Sequence, residues 1–330
     1  MLDPGLLPPD ALFIMQVFDS RFLPATFALC LLLFLFVPRA EAEQKLRMPN
    51  IFGDQMVLQR DKPIRIWGWA GAECPVVVSF AGQSQATAAD RDGKWEVLLQ
   101  ALPAHSSGQA FTVKSREEVL SFKDVLVGDV WLCGGQSNME WRLRGSRDAD
   151  LEIPSSNYPG LRFIRIRPGG SPAPQDNFPK EKGEGAWLPC SPETAGDCSG
   201  VAYFFGQRLH RHLNVPIGLI NAAWGGTMAQ HWVSRETLET LPAAQTYLGD
   251  YDRKCREWVD GGREEGASKR FTLAQEQWQA LAEDARKRGD KDPPGKPNRR
   301  DYQNPAEGRI PAGPLNAMIM PLAGLNLRGV

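Results

Sequence analysis

Apolar residues follow three different rules in turn along this chain. From about 47 to 122 they come in short β-branched or aromatic runs. These are Ile64-Arg65-Ile66-Trp67, Val76-Val77-Val78-Ser79-Phe80, Trp95-Glu96-Val97-Leu98 and Phe111-Thr112-Val113, set apart by Gly71, Gly82, Asp92-Gly93 and Gly108. Strand-like runs about 10–15 residues apart, with no helical period between them, predict an antiparallel β-sandwich domain over 43–122, of jelly-roll or Ig-like type. Asp92-Gly93 ahead of Trp95 predicts a tight turn.

After Phe122 the rule changes. Asp124 to Leu132 reads as a buried strand, ending in Cys133-Gly134-Gly135-Gln136-Ser137-Asn138. Leu161 to Ile166 is a second strand. Val201, Phe204, Phe205 and Leu209 recur at helical spacing behind Ser199, a fitting N-cap, and predict a helix over 200–213. Pro216 to Asn221 is a third strand, leading into Trp224-Gly225-Gly226-Thr227. Strand, helix and strand with glycine turns after the strands predict an α/β layered domain over 123–330.

Between 235 and 308 the rule changes again, to a helical and charged insertion. Phe271, Ala274, Trp278, Leu281 and Ala285 fall on one helix face. A charged, Pro-rich tract follows from Arg286 to Arg300, read as a solvated loop or an excursion that covers substrate.

The N-terminus bears on the compartment. Residues 22–37 are almost wholly apolar, follow Arg21 and precede Ala40-Glu41-Ala42. That layout predicts a secretory signal peptide over 1–42, cut after Ala42, with Met15 as an alternative start. The run is short for a membrane span, although an uncleaved signal anchor is the competing reading. The expected location is therefore secreted or periplasmic, with no stable membrane insertion after cleavage.

Composition removes several classes. The 330 residues carry 38 Lys+Arg against 39 Asp+Glu, a net charge of −1, which leaves no electrostatic footprint for nucleic acid. Six cysteines without a CxxC or a Cys/His cluster argue against a structural metal, and no cofactor is implied. Cys190 and Cys198 lie close enough to close a small loop if oxidised, and are equally suited to burial as free thiols.

Chemistry concentrates in Gly134-Gly135-Gln136-Ser137-Asn138. A serine past a buried strand, flanked by glycines and opening a helix, is placed as an activated nucleophile needs. A helix N-terminus offers N–H groups to a developing oxyanion. The competing reading is a glycine-rich turn with an N-capping serine. Gly225 and Gly226 supply candidate N–H donors from a second strand end, or simply a turn. A serine nucleophile also wants a base, and there are four histidines. His105 falls in a β-domain loop, and His210 and His212 end a helix. His231 is nearest in pattern, but Trp232 beside it points to packing.

The segments 52–60 (FGDQMVLQR) and 66–70 (IWGWA) resemble the N-terminal β-domain of the sialate O-acetylesterase family. Residues 127–141 (VGDVWLCGGQSNMEW) resemble its nucleophile block. Cys190-Ser191-Pro192-Glu193-Thr194, 201–206 (VAYFFG), 216–221 (PIGLIN) and 314–319 (PLNAMI) continue the likeness in order. The resemblance implies a flavodoxin-like SGNH-type hydrolase domain and a serine acyl-enzyme mechanism that removes O-acetyl groups from a carbohydrate substrate. Ser137 matches the nucleophile, and Gly225 or Gly226 the glycine block of the oxyanion hole. Family members continue beyond the segment matching 327–330 into a Trp-Tyr-Gln-Gly-Glu pattern, and further on carry a catalytic Asp and His. None of the four histidines here matches that one. The expectation is therefore an incomplete, C-terminally truncated esterase domain with little turnover. Its rivals are a non-catalytic carbohydrate-binding remnant of the same family and a peptidase or lipase using Ser137.

Overall fold

The computed structural model describes residues 45–181, 184–261, 266–289, 295–298, 302, 304–305 and 310–330. The expected signal peptide, and most of the charged tract after Gly289, lie outside the described residues.

Among the described residues, ten strands and six α-helices follow one another. The strands are β1 (Val57–Gln59), β2 (Ile64–Trp69), β3 (Pro75–Phe80), β4 (Gln83–Ala88), β5 (Lys94–Leu99), β6 (His105–Ser115), β7 (Glu118–Gly135), β8 (Tyr158–Arg165), β9 (Trp187–Cys190) and β10 (Ile217–Ala223). The helices are α1 (Ser137–Glu140), α2 (Ala149–Ser155), α3 (Gly200–Leu213), α4 (Arg235–Glu239), α5 (Gln245–Asp260) and α6 (Ala267–Arg288). No helix among the described residues is long and apolar enough to cross a membrane.

The architecture is mixed α/β around one large mixed sheet, ordered β4-β3-β6-β7-β10-β8-β9, with β1 also paired to β7. β2 and β5 form a separate antiparallel ribbon. The long strand β7 joins two kinds of sheet. Its first half pairs antiparallel with β6. Its second half pairs parallel with β1 and then β10. Burial changes with the pairing. Residues 118–124 are largely exposed, whereas Val125 to Val130 are all buried. A parallel strand covered on both faces has no solvent side on which to place polar residues. The change falls at Asp124, which has a left-handed φ of 56°. There β6 shifts register around Gln109, and Gly108 lies so close to Asp124 that a Cβ would collide with it.

The boundary expected at 122/123 thus falls inside one strand. One core cluster runs without a break from the ribbon (Ile64, Ile66, Val97, Leu99) through Val76, Phe80, Phe111 and Val125 to Val130, Ile164 and Ile220. The opposite face of the parallel strands forms a second core beneath α3, from Cys133, Leu161, Phe163, Leu219, Ala202 and Tyr203. Alternation along the strands sends Phe163 and Leu219 to one core and Ile164 and Ile220 to the other.

The predicted helix over 200–213 is α3, and Ser199 caps it by accepting from the Ala202 N–H at 3.2 Å. The insertion contains α4 to α6, but the buried stripe of α6 differs from the predicted one. Leu281 is 57% exposed, and Ala282 is buried in its place beside Ala285. The larger side chain one position before Ala282 is thus turned outward. Cys190 and Cys198 are buried free thiols.

Candidate active site

β7 and β10 are parallel neighbours whose C-terminal ends coincide, with Ala222 opposite Gly134 and Ala223 opposite Gly135. Loops leaving such strand ends in the same direction make a crevice, the usual ligand position in α/β sheets. Ser137 leaves β7 as the first residue of α1, and its side chain is exposed. It is not an N-cap. That position belongs to Gln136, whose side chain makes no capping bond to the helix. The Ser137 hydroxyl instead donates to Gln136 Oε1 at 2.7 Å. Because α1 is a single turn it carries little macrodipole, so any anion here would depend on individual N–H groups. Gly135 holds a φ of 149°, open to glycine but not to L side chains, and a Cβ there would lie 3.2 Å from Met139 Cβ.

The Gly225-Gly226 turn meets this loop directly. Trp224 N–H donates to Gly135 O at 3.1 Å, extending the strand pairing by one residue. Gly225 N–H donates to Glu140 Oε2 at 2.6 Å, and Gly226 N–H donates to Gln136 Oε1 at 3.3 Å. The two glycines are needed for different reasons. Gly226 has a φ of 72°. Gly225 is a close approach, since a Cβ on it would sit 2.6 Å from Glu140 Oε2 and 3.7 Å from Ser137 Oγ. Beneath them buried Asn221 donates to Met139 O at 3.1 Å, fixing α1 against β10.

No histidine hydrogen-bonds Ser137 among the described residues. His231 is buried, accepts from Met228 N–H at 3.0 Å through Nδ1 and lies beside the Tyr247 ring. His210 bonds Val215 O through Nδ1 at 2.8 Å. His105 lies at the start of β6, not in a loop, and bonds Ser107 O at 2.9 Å; His212 is exposed on α3. Beside His231, Trp232 Nε1 donates to Thr227 Oγ1 at 2.9 Å, and Thr227 Oγ1 to Trp224 O.

Sequence reasoning assigned no role to Glu140. It stands three residues after Ser137, one helical turn on, and that spacing is the only signal that marks it. Its Oε1 is 3.9 Å from Arg165, which pairs with Glu184 at 2.8 Å. Arg165 borders a crevice of about 350 Å³ together with Arg142, Arg144, Glu184 and Asp197. Arg142 and Arg144 both pair with Asp197. Among the described residues no group of three or more His, Cys, Asp or Glu is arranged to hold a metal.

No protein-family model matches the chain. It is 29% identical to the sialate O-acetylesterase of Mus musculus over 223 residues, which cover 61% of this chain and 40% of that protein. The human sialate O-acetylesterase is 29% identical over 223 residues, covering 62% and 42%. Among solved structures, a carbohydrate acetylesterase from Xanthomonas citri superposes with a TM-score of 0.63 at 27% identity, covering 87% of this chain and 50% of that one. The chain therefore spans about two fifths of the length of the curated relatives it matches.

Proposed function

The chain belongs to the sialate O-acetylesterase family, and we propose that it acts on O-acetylated carbohydrate through Ser137. In this reading Ser137 Oγ attacks the acetyl carbonyl, the sugar hydroxyl leaves, and water later releases acetate from the acyl-serine. The fold is of SGNH type, and the apolar run 22–37 directs secretion. The supporting observation is the meeting of the two strand-end loops, which places Gly225 so that a Cβ on it would lie 3.7 Å from Ser137 Oγ. A carbonyl oxygen entering there would take the Gly225 N–H from Glu140, alongside the N–H of Ser137 itself.

We also propose that this chain turns over slowly by itself. A serine hydroxyl is a weak nucleophile until a base accepts its proton, and the amide oxygen of Gln136 is far too weakly basic for that. Removing the base from a serine protease leaves roughly 10³–10⁴-fold catalysis over water, from the oxyanion hole and binding alone. That same Ser137–Gln136 bond favours the second reading, glycan binding without hydrolysis.

Prolonged incubation with a fluorophosphonate followed by peptide mapping separates the two. Labelling at Ser137, lost in Ser137→Ala, supports the nucleophile. Labelling that survives the substitution places the nucleophile elsewhere, and none at all supports the binding module.

A further inference from the structure

Away from Ser137, the β2–β5 ribbon carries tryptophans where a half-buried ribbon would ordinarily carry only polar residues. Alternation along β2 sends Ile64, Ile66 and Gly68 toward the core and Arg65, Trp67 and Trp69 to the other face, although Trp67 also packs against the core, edge to face with buried Phe52 at 4.9 Å. Opposite them on β5, Glu96 faces Trp67 and Lys94 faces Trp69. The groups on this face are held in place. Arg65 bonds Glu96 Oε2 through Nε at 3.0 Å and Nη2 at 2.6 Å, while its guanidinium lies 5.0 Å from the Trp67 ring centre. Arg47 stacks over Trp69 at 3.9 Å, leaving Trp67 as the half-buried ring of the pair.

Two other segments, 174–176 and 320–323, stand over this face and leave a cavity of about 520 Å³. That is within the range of small-ligand sites. Arg65 Nη1 donates to Ala323 O at 3.3 Å and ties the second segment to the ribbon. We propose that this groove is a second glycan-binding site, distinct from the Ser137 crevice, that takes neutral sugar residues.

The chemistry of the lining argues for that class of ligand. A sugar ring presents an apolar C–H face and a rim of hydroxyls. An indole face fits the former, and fixed donors and acceptors such as the Arg65–Glu96 pair fit the latter. The cavity has two cations, Arg65 and Lys94, against three carboxylates, Asp90, Glu96 and Asp176. A slightly negative lining repels acidic sugars and accepts neutral ones. Lys94 Nζ and the Asp176 carboxylate have no partner among the described residues, and both remain available to hydroxyls.

The experiment is isothermal titration of the intact protein with xylohexaose, cellohexaose, mannohexaose and sialyllactose. Binding of at least one neutral hexasaccharide is expected, weakened tenfold or more by Trp67→Ala, partly restored by Trp67→Phe, and unchanged by Ser137→Ala. Asp176→Ala, at an exposed position outside the core, should also weaken binding and serves if Trp67→Ala does not fold. The proposal is overturned if no neutral hexasaccharide binds at millimolar concentration, if sialyllactose binds best, or if Trp67→Ala or Asp176→Ala leaves the affinity intact. Loss of binding in Ser137→Ala would overturn it too, by moving the site to the esterase crevice. None of these outcomes depends on turnover, so the site stands or falls separately from the nucleophile.

Discussion

Glu140 Oε2 lies 2.6 Å from the backbone nitrogen of Gly225 and holds the loop after β10 against the turn that carries Ser137. The carboxylate thus occupies the N–H group that an oxyanion would need.

Glu140→Ala should therefore loosen the 225–226 turn. A hydrogen bond to a charged group contributes about 1.5–3 kcal/mol, and the partly exposed position of Glu140 puts the expected loss near the lower end. Hydrogen exchange at Gly225 should speed up in Glu140→Ala and stay slower in Glu140→Gln, which keeps an acceptor oxygen. Equal exchange in wild type and Glu140→Ala would show that the bond does not restrain the loop.

Gly225→Ala and Gly135→Ala should both harm the site, by different routes. The added methyl at 225 would displace the Glu140 carboxylate, lying 2.6 Å from Oε2. At 135 the backbone itself is strained for alanine, at a cost of about 1–3 kcal/mol. Thermal unfolding should show the larger loss for Gly135→Ala. Combining Gly225→Ala with Glu140→Ala should recover part of the Gly225→Ala defect, because the carboxylate it displaces is gone. An additive double variant would argue against the clash.

Asp129 sits where β7 passes from β1 to β10 and is buried. Burial raises its pKa, but hydrogen bonds from Arg60 and Gln59 and the charges of Arg60 and Arg328 outweigh that, and the net shift is downward. A carboxylate whose folded pKa is depressed adds stability above its unfolded pKa, about 3.9, and loses it as pH falls through the folded value. Acid unfolding should therefore have a component below about pH 4 that is absent in Asp129→Asn. At pH 7 that variant should lose about 3 kcal/mol, since Arg60 and Gln59 lose their charged partner. Parallel pH–stability curves for the two proteins would refute this.

Burial pushes the Cys133 and Cys190 thiols up to about 12, and Cys198 well above its ordinary value. The thiolate is the reactive form, so these should resist alkylation in the folded protein. Cys255, the one described cysteine that is not buried, should react first with iodoacetamide at pH 8. Mass mapping that finds Cys133 or Cys190 modified as fast as Cys255 would contradict the packing.

Sequence alone determined the local elements and singled out Ser137. Strand alternation, the i, i+3, i+4 spacing behind Ser199 and the Gly-rich turn at Ser137 are all encoded within a few residues, because pleat, helix period and turn geometry are short-range properties. The tertiary structure decided everything that depended on distant segments meeting. The sequence pattern splits the single strand Glu118–Gly135 at 122/123, because the antiparallel half shows polar positions on one face and the buried parallel half shows only Asp129. Glu140 and Gly225 are 85 positions apart, and only the parallel alignment of β7 with β10 gives the carboxylate its partner. His231 was singled out because it follows the glycine turn, but its Nδ1 turns back to Met228, and no sequence spacing reports that a buried ring has already found its hydrogen bond.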